Sequence, residues 1–79
     1  MDQELSFTDI GLATAIAAKG FILKEIRPLN NRQSAFVFFG DKNTLQQLET
    51  DYWADRLTVP ARKFHQEMKA IKHRLYGQG

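Results

Sequence analysis

The chain has 79 residues, no cysteine, 43% hydrophobic residues and a formal net charge of +2. That length makes a single small domain, residues 1–79, which buries only about 60% of the surface its unfolded chain exposes, and the missing cysteines exclude disulfides and thiolate metal sites. The acidic start, Met1-Asp-Gln-Glu4, lacks the basic-then-apolar order of a signal peptide. The longest strictly apolar run, residues 35–39, falls far short of the about 20 residues that span a membrane, so the expectation is a soluble, cytoplasmic domain with no membrane association.

The first predicted element is a helix from about Thr8 to Lys19. Ser6 and Thr8 are both candidate N-caps, and Ser6 with Asp9 resembles a capping box. Gly20 supplies a left-handed residue past the helix end, and Phe21 can fold back on the last turn. The interior is Gly11, Ala13, Ala15, Ala17 and Ala18 with Ile10, Leu12 and Ile16. Such small residues suit a core helix lying close to its neighbour.

A hairpin follows. Residues 21–27 and 34–39 are rich in β-branched and aromatic side chains, and Pro28, Asn30 and Asn31 between them are turn chemistry. In the second strand Phe36 and Phe38 point to one face, and Ala35, Val37 and Phe39 to the other. Both faces are apolar, and two strands cannot bury both of their own faces. Helices must therefore cover both sides, or a second subunit must cover one.

The second predicted helix starts at Asp41 or Asn43, both good caps, and runs to about Arg56. Leu45, Leu48, Tyr52 and Trp53 form its apolar face, and Glu49, Asp51 and Asp55 make the rest acidic. Pro60 then separates it from a third helix, whose first turn proline suits. In that helix Phe64, Met68, Ile71 and Leu75 recur at spacings of 4, 3 and 4, a narrow apolar stripe at about 100° per residue. Arg62, Gln66, Lys69 and His73 lie opposite, flanked by Lys63 and Arg74 on one side and by Lys72 and His65 on the other.

No catalytic constellation emerges. His65 and His73 are about 12 Å apart along the helix axis, too far to share one ion bonded at about 2 Å. Asp51 and Asp55 are i,i+4 neighbours in a polar turn, which reads as solvated charge. Neither Ser6 nor Ser34 sits in a nucleophile motif, and the five glycines form no phosphate loop. The expectation is a protein that is not an enzyme, with no metal, no cofactor and no small-molecule substrate.

Charge is unevenly spread. Residues 1–59 carry six Lys/Arg and eight Asp/Glu, whereas residues 60–79 carry five Lys/Arg and one Glu. The last helix can therefore meet a nucleic acid, DNA or RNA, through Arg62, Lys63, Lys69, Lys72 and Arg74, with Arg27, Arg32 and Lys24 extending the patch and Asn30 and Asn31 reaching base edges. The bland alternative is a solvated face whose last-turn cations meet the negative end of the helix dipole. A second binding surface is the outer hairpin face, where Val37 and Phe39 with Ile22 or Lys24 would contact a protein partner or a second copy, or an open strand edge would add to another sheet.

The run Lys19-Gly20-Phe21, Phe36-Val37-Phe38, Leu45-x-x-Leu48-x-x-Asp51-Tyr52-Trp53, Val59-Pro60-Ala61-Arg62-x-Phe64 and Lys69-x-Ile71-Lys72-x-Arg74-Leu75-Tyr76 resembles a family of small uncharacterised domains from bacteria and their phages or mobile elements. The resemblance covers residues 10–76. It implies a stand-alone α+β module, brings no catalytic residues, and by analogy favours nucleic-acid or inhibitor roles. The fold expected is α+β in the order α-β-β-α-α, a two-stranded antiparallel hairpin packed against three helices. Its core comprises Ile10, Ala13, Ile16, Ala17, Phe21, Leu23, Phe36, Phe38, Leu45, Leu48, Trp53, Phe64, Met68, Ile71 and Leu75.

Overall fold

The structure, a computed structural model, describes residues 2–77. The chain forms β1 (Asp2–Phe7), α1 (Ile10–Ala18), β2 (Leu23–Pro28), β3 (Ser34–Asp41), α2 (Lys42–Trp53) and α3 (Ala61–Tyr76). The fold is α+β, as the sequence suggests, but with a three-stranded antiparallel sheet in the order β1-β3-β2 and the element order β-α-β-β-α-α. The additional strand is the acidic N-terminus. Leu5 and Phe7 alternate with Glu4 and Ser6, which is the period of a half-buried strand, and they lie opposite Phe38 and Phe36 in the register of β1 with β3.

This strand also moves the first cap. Ser6 lies in β1, and the N-cap of α1 is Asp9, whose carboxylate accepts from the Leu12 N–H at 2.8 Å. The predicted end of α1 holds. Gly20 has a φ of +105°, its N–H reaches the Ala17 carbonyl, and the Phe21 N–H turns back to Ile16, the paired bonds of a left-handed helix stop. Helix α2 starts on Asp41, one of the two expected caps, which accepts from the Thr44 N–H and hydroxyl at 3.0 and 2.9 Å. These bonds hold the Asp41 carboxyl below its ordinary value. The helix ends at Trp53 rather than Arg56. Asp55 takes the left-handed position (φ +63°), and the Asp55 and Arg56 N–H groups close onto the Tyr52 and Asp51 carbonyls.

The core forms where the helices meet one face of the sheet. Phe7, Leu23, Phe36 and Phe38 pack with Leu12, Ala13, Ile16, Ala17, Leu45 and Ile71. Helix α1 is buried over six consecutive residues from Leu12 to Ala17, so it is enclosed on all sides, with α3 and α2 among its neighbours. A helix that is apolar all round belongs in such a place. Its one buried polar side chain, Thr14, donates to the Ile10 carbonyl at 2.7 Å and lies 3.5 Å from the Met68 sulfur of α3. The apolar stripe of α3 faces inward as read, with Ile71 buried and Phe64, Met68 and Leu75 half-buried. Trp53 departs from the expected core: it is 63% exposed and rests edge-on against Tyr52, ring centroids 4.9 Å apart. Leu12 and Phe7 fill core places that the sequence reading left unassigned.

Tyr52 turns inward instead. Its hydroxyl donates to Asp9 at 3.2 Å, so one carboxylate caps α1 and ties it to the last turn of α2. The hydroxyl sits where a side chain at position 11 would be: a Cβ on Gly11 would collide with it. Burial, and then the Asp9 charge, push the Tyr52 hydroxyl above its ordinary pKa. Gly11→Ala is expected to destabilise the domain by about 1–3 kcal/mol through overpacking. In a Tyr52→Phe background that cost should shrink by about 1 kcal/mol or more, a coupling readable in a urea-denaturation cycle. Because the tyrosine pKa is raised on folding, its contribution is whole below pH 10 and is lost as pH climbs from there through the folded value. The fall in melting temperature above pH 10 should therefore be shallower in Tyr52→Phe than in the wild type.

Candidate nucleic-acid interface

Helix α3 is amphipathic because its apolar stripe recurs with the helical period, and α1 accepts that stripe. The cationic side is thereby turned outward. Arg62, Lys69 and Lys72 are exposed, as are His65, Gln66 and His73. Among the described residues, none of these three cations has a carboxylate within ion-pair distance. On a helical wheel Arg62, Lys69 and Lys72 lie within about 80° of one another, and no acidic residue falls on that strip.

Of the other sequence-nominated cations, Lys24, Lys63, Arg74 and Arg27 are engaged within the chain. Lys63 pairs with Glu67 at 3.0 Å, one turn along. Arg74 is half-buried and donates to the Leu23 carbonyl at 3.1 Å, beside the register shift between Leu23 and Glu25, so it fastens α3 to edge strand β2. Arg27 pairs with Glu25 at 2.8 Å. Arg32 sits at the hairpin tip, which closes through the Asn30 side chain accepting from the Arg32 and Gln33 N–H groups, both at 2.8 Å. A cleft joins this tip to the C-terminal end of α3, with Arg32 and Tyr76 both on its wall. The acids of α2 do not neutralise α3 in any ion pair among the described residues. Asp51 instead accepts from Gln47 at 2.9 Å and pairs with Arg56 at 3.2 Å.

The sheet face turned away from the helices is the second nominated surface. Glu4 and Ser6 of β1 and Glu25 and Arg27 of β2 stand opposite Phe39, Val37 and Ala35 of the central strand. The Lys24–Glu4 ion pair bridges the two outer strands across β3, and through that hydrogen bond and charge it holds the Glu4 carboxyl below its ordinary value. Under the stems of these long side chains Val37 is only 1% exposed, so of the three nominated residues Phe39 (52%) and Ile22 (80%) form the accessible part. Ile22 immediately precedes β2, whose first residue, Leu23, pairs with Phe38. Both outer strands carry charges, and β2 also carries an irregular register and a terminal proline, features that discourage pairing with another sheet.

Among the described residues, no group of three His, Asp or Glu side chains comes together as a metal site, and no helix is long and apolar enough to cross a membrane. The profile of a domain of unknown function (DUF5659) matches residues 2–77, and the chain belongs to that family. No curated protein and no solved structure matches the chain.

The division between engaged and free cations has a direct consequence for stability. Arg74→Ala should cost about 1.5–3 kcal/mol, the range for a hydrogen bond to a charged group. Lys69→Ala and Lys72→Ala should each change stability by less than about 0.5 kcal/mol. Thermal or chemical denaturation of the three variants reads the contrast.

Proposed function

We propose that this DUF5659 domain is a non-enzymatic binding module that associates with nucleic acid through α3, with Arg62, Lys69 and Lys72 contacting phosphates and Arg32 adding a charge at the far end. The observation that carries the reading is the acid-free cationic strip itself: three exposed cations on one helical face without a carboxylate partner among the described residues. Unpaired Lys and Arg on a rigid helix are what a phosphate backbone recruits, because each contact releases condensed counterions. Such contacts position the protein and carry no base information of their own. Lys63, Arg74 and Arg27 are not among the phosphate contacts, since their side chains already have partners. A bacterial, phage or mobile-element setting rests on the sequence resemblance alone and fits a module of this kind.

The half-exposed Phe39 on the central strand, together with the exposed Ile22 just before β2, favours a second reading in which the open sheet face contacts a protein partner or another copy of the chain. Molecular mass in solution across a concentration series, for the wild type and for Phe39→Ser, tests self-association. A monomer at every concentration counts against a second copy as the occupant.

The nucleic-acid reading predicts that affinity for a short duplex or single strand falls steeply as salt rises. Lys69→Ala with Lys72→Ala should reduce the slope of log K against log salt by about 2, roughly one per lost phosphate contact. Arg27→Ala should leave the slope unchanged. A wild-type protein that binds neither DNA nor RNA at low salt contradicts the reading.

A further inference from the structure

The cationic strip of α3 ends in an aromatic residue. Tyr76 is seven residues beyond Lys69 and four beyond Lys72, so it continues the same helical face about 6 Å past Lys72. It is 75% exposed, and no hydrogen bond engages its hydroxyl among the described residues. Next to it opens a cleft of about 470 Å³ between the hairpin tip and the start of α1, with Phe36 and Leu75 contributing apolar wall and Asn31, Arg32 and Gln33 contributing polar groups. The Asn30 carboxamide oxygen is used inside the tip, whereas the Asn31 and Gln33 side chains and the Arg32 guanidinium have no in-chain partner among the described residues. The one acid on the wall, Asp9, accepts from the Leu12 N–H and the Tyr52 hydroxyl through one carboxylate oxygen.

We infer that this cleft receives an unstacked nucleobase, and hence that the nucleic acid taken by α3 is single-stranded. This rests on the phosphate-binding reading of the strip. Phosphates following Arg62, Lys69 and Lys72 deliver the next nucleotide to Tyr76, whose ring offers a stacking platform. The side-chain amides of Asn31 and Gln33 donate and accept, the chemistry that meets a base edge, and Arg32 meets the adjoining phosphate. A duplex keeps its bases stacked inside and can use only the strip.

The experiment compares binding of a 12-nucleotide oligodeoxyadenylate, its riboadenylate counterpart, and the oligodeoxyadenylate paired with oligothymidylate, at several salt concentrations. The better of the two single strands should bind about tenfold more tightly than the duplex, the scale of one stacked base. Tyr76→Ala should remove that preference while leaving the salt slope intact, and Tyr76→Phe should retain it. In the wild type, the NMR signals of the Asn31 and Gln33 side-chain amides should shift on adding the single strand. Equal, salt-dependent binding of strand and duplex, or a preference that survives Tyr76→Ala, overturns the cleft inference and leaves the strip reading standing. No binding of any of the three overturns both.

Discussion

The arrangement depends on the burial of α1. A helix of nine residues with six consecutive positions enclosed needs a neighbour on every side, and its small side chains let those neighbours come close. The sheet, α2 and α3 are those neighbours. Thr14 shows how complete the enclosure is: its hydroxyl finds its hydrogen bond on α1's own backbone, since a buried hydroxyl without one would cost about 1–3 kcal/mol. The Met68 sulfur closes over the same place. Once Met68 and Ile71 are committed to this seam, the helical period leaves no freedom for the rest of α3. Lys69 and Lys72 must face outward, and Arg74 must face β2.

Two surfaces of different character result. The strip on α3 is cationic, free of acids, and continues into an aromatic residue beside a polar cleft. The open sheet face is mixed in charge, with Lys24 paired to Glu4 across the strands and Arg27 paired to Glu25 within β2, and its exposed apolar area is concentrated at Phe39. On the proposed reading, a polyanion is drawn to the first and has little reason to prefer the second. The same asymmetry explains why the N-terminal acids do not cancel the C-terminal bases: Glu4 and Glu25 lie on the sheet face with Lys24 and Arg27 as partners, while Asp51 stays with Arg56.

Much of this was legible in the chain. The stop at Gly20 and Phe21, the cap at Asp41, the hairpin and the inward stripe of α3 each rest on local chemistry that tertiary contacts did not override. Strand β1 was harder because only Leu5 and Phe7 carry its alternation, and Ser6 in a cap-like spacing to Asp9 offers a competing local explanation. Trp53 follows the helical spacing of Leu45, yet α2 stops there and the side chain falls beyond the sheet's cover. Val37 reads as an exposed contact if the hairpin has two strands. With β1 as a third strand it becomes central and is shaded from both sides. The cations show the same limit. Nothing in their order distinguishes Arg74 from Lys72, because the partner of Arg74 is a carbonyl 51 residues away. Arg32 approaches Tyr76 only because the hairpin folds its tip back to the helix end.

Helix α3 is seated on α1 through Met68 and Ile71, with Lys69 and Lys72 turned to solvent. Nuclear Overhauser contacts on methyl-labelled protein test it most directly. Cross-peaks are expected from the Met68 methyl to Thr14 and from Ile71 to the alanine methyls of α1, with none from the Lys69 or Lys72 side chains to α1. Cross-peaks from those lysines to α1, with Met68 showing none, would mean that the helix is rotated and the cationic face points inward.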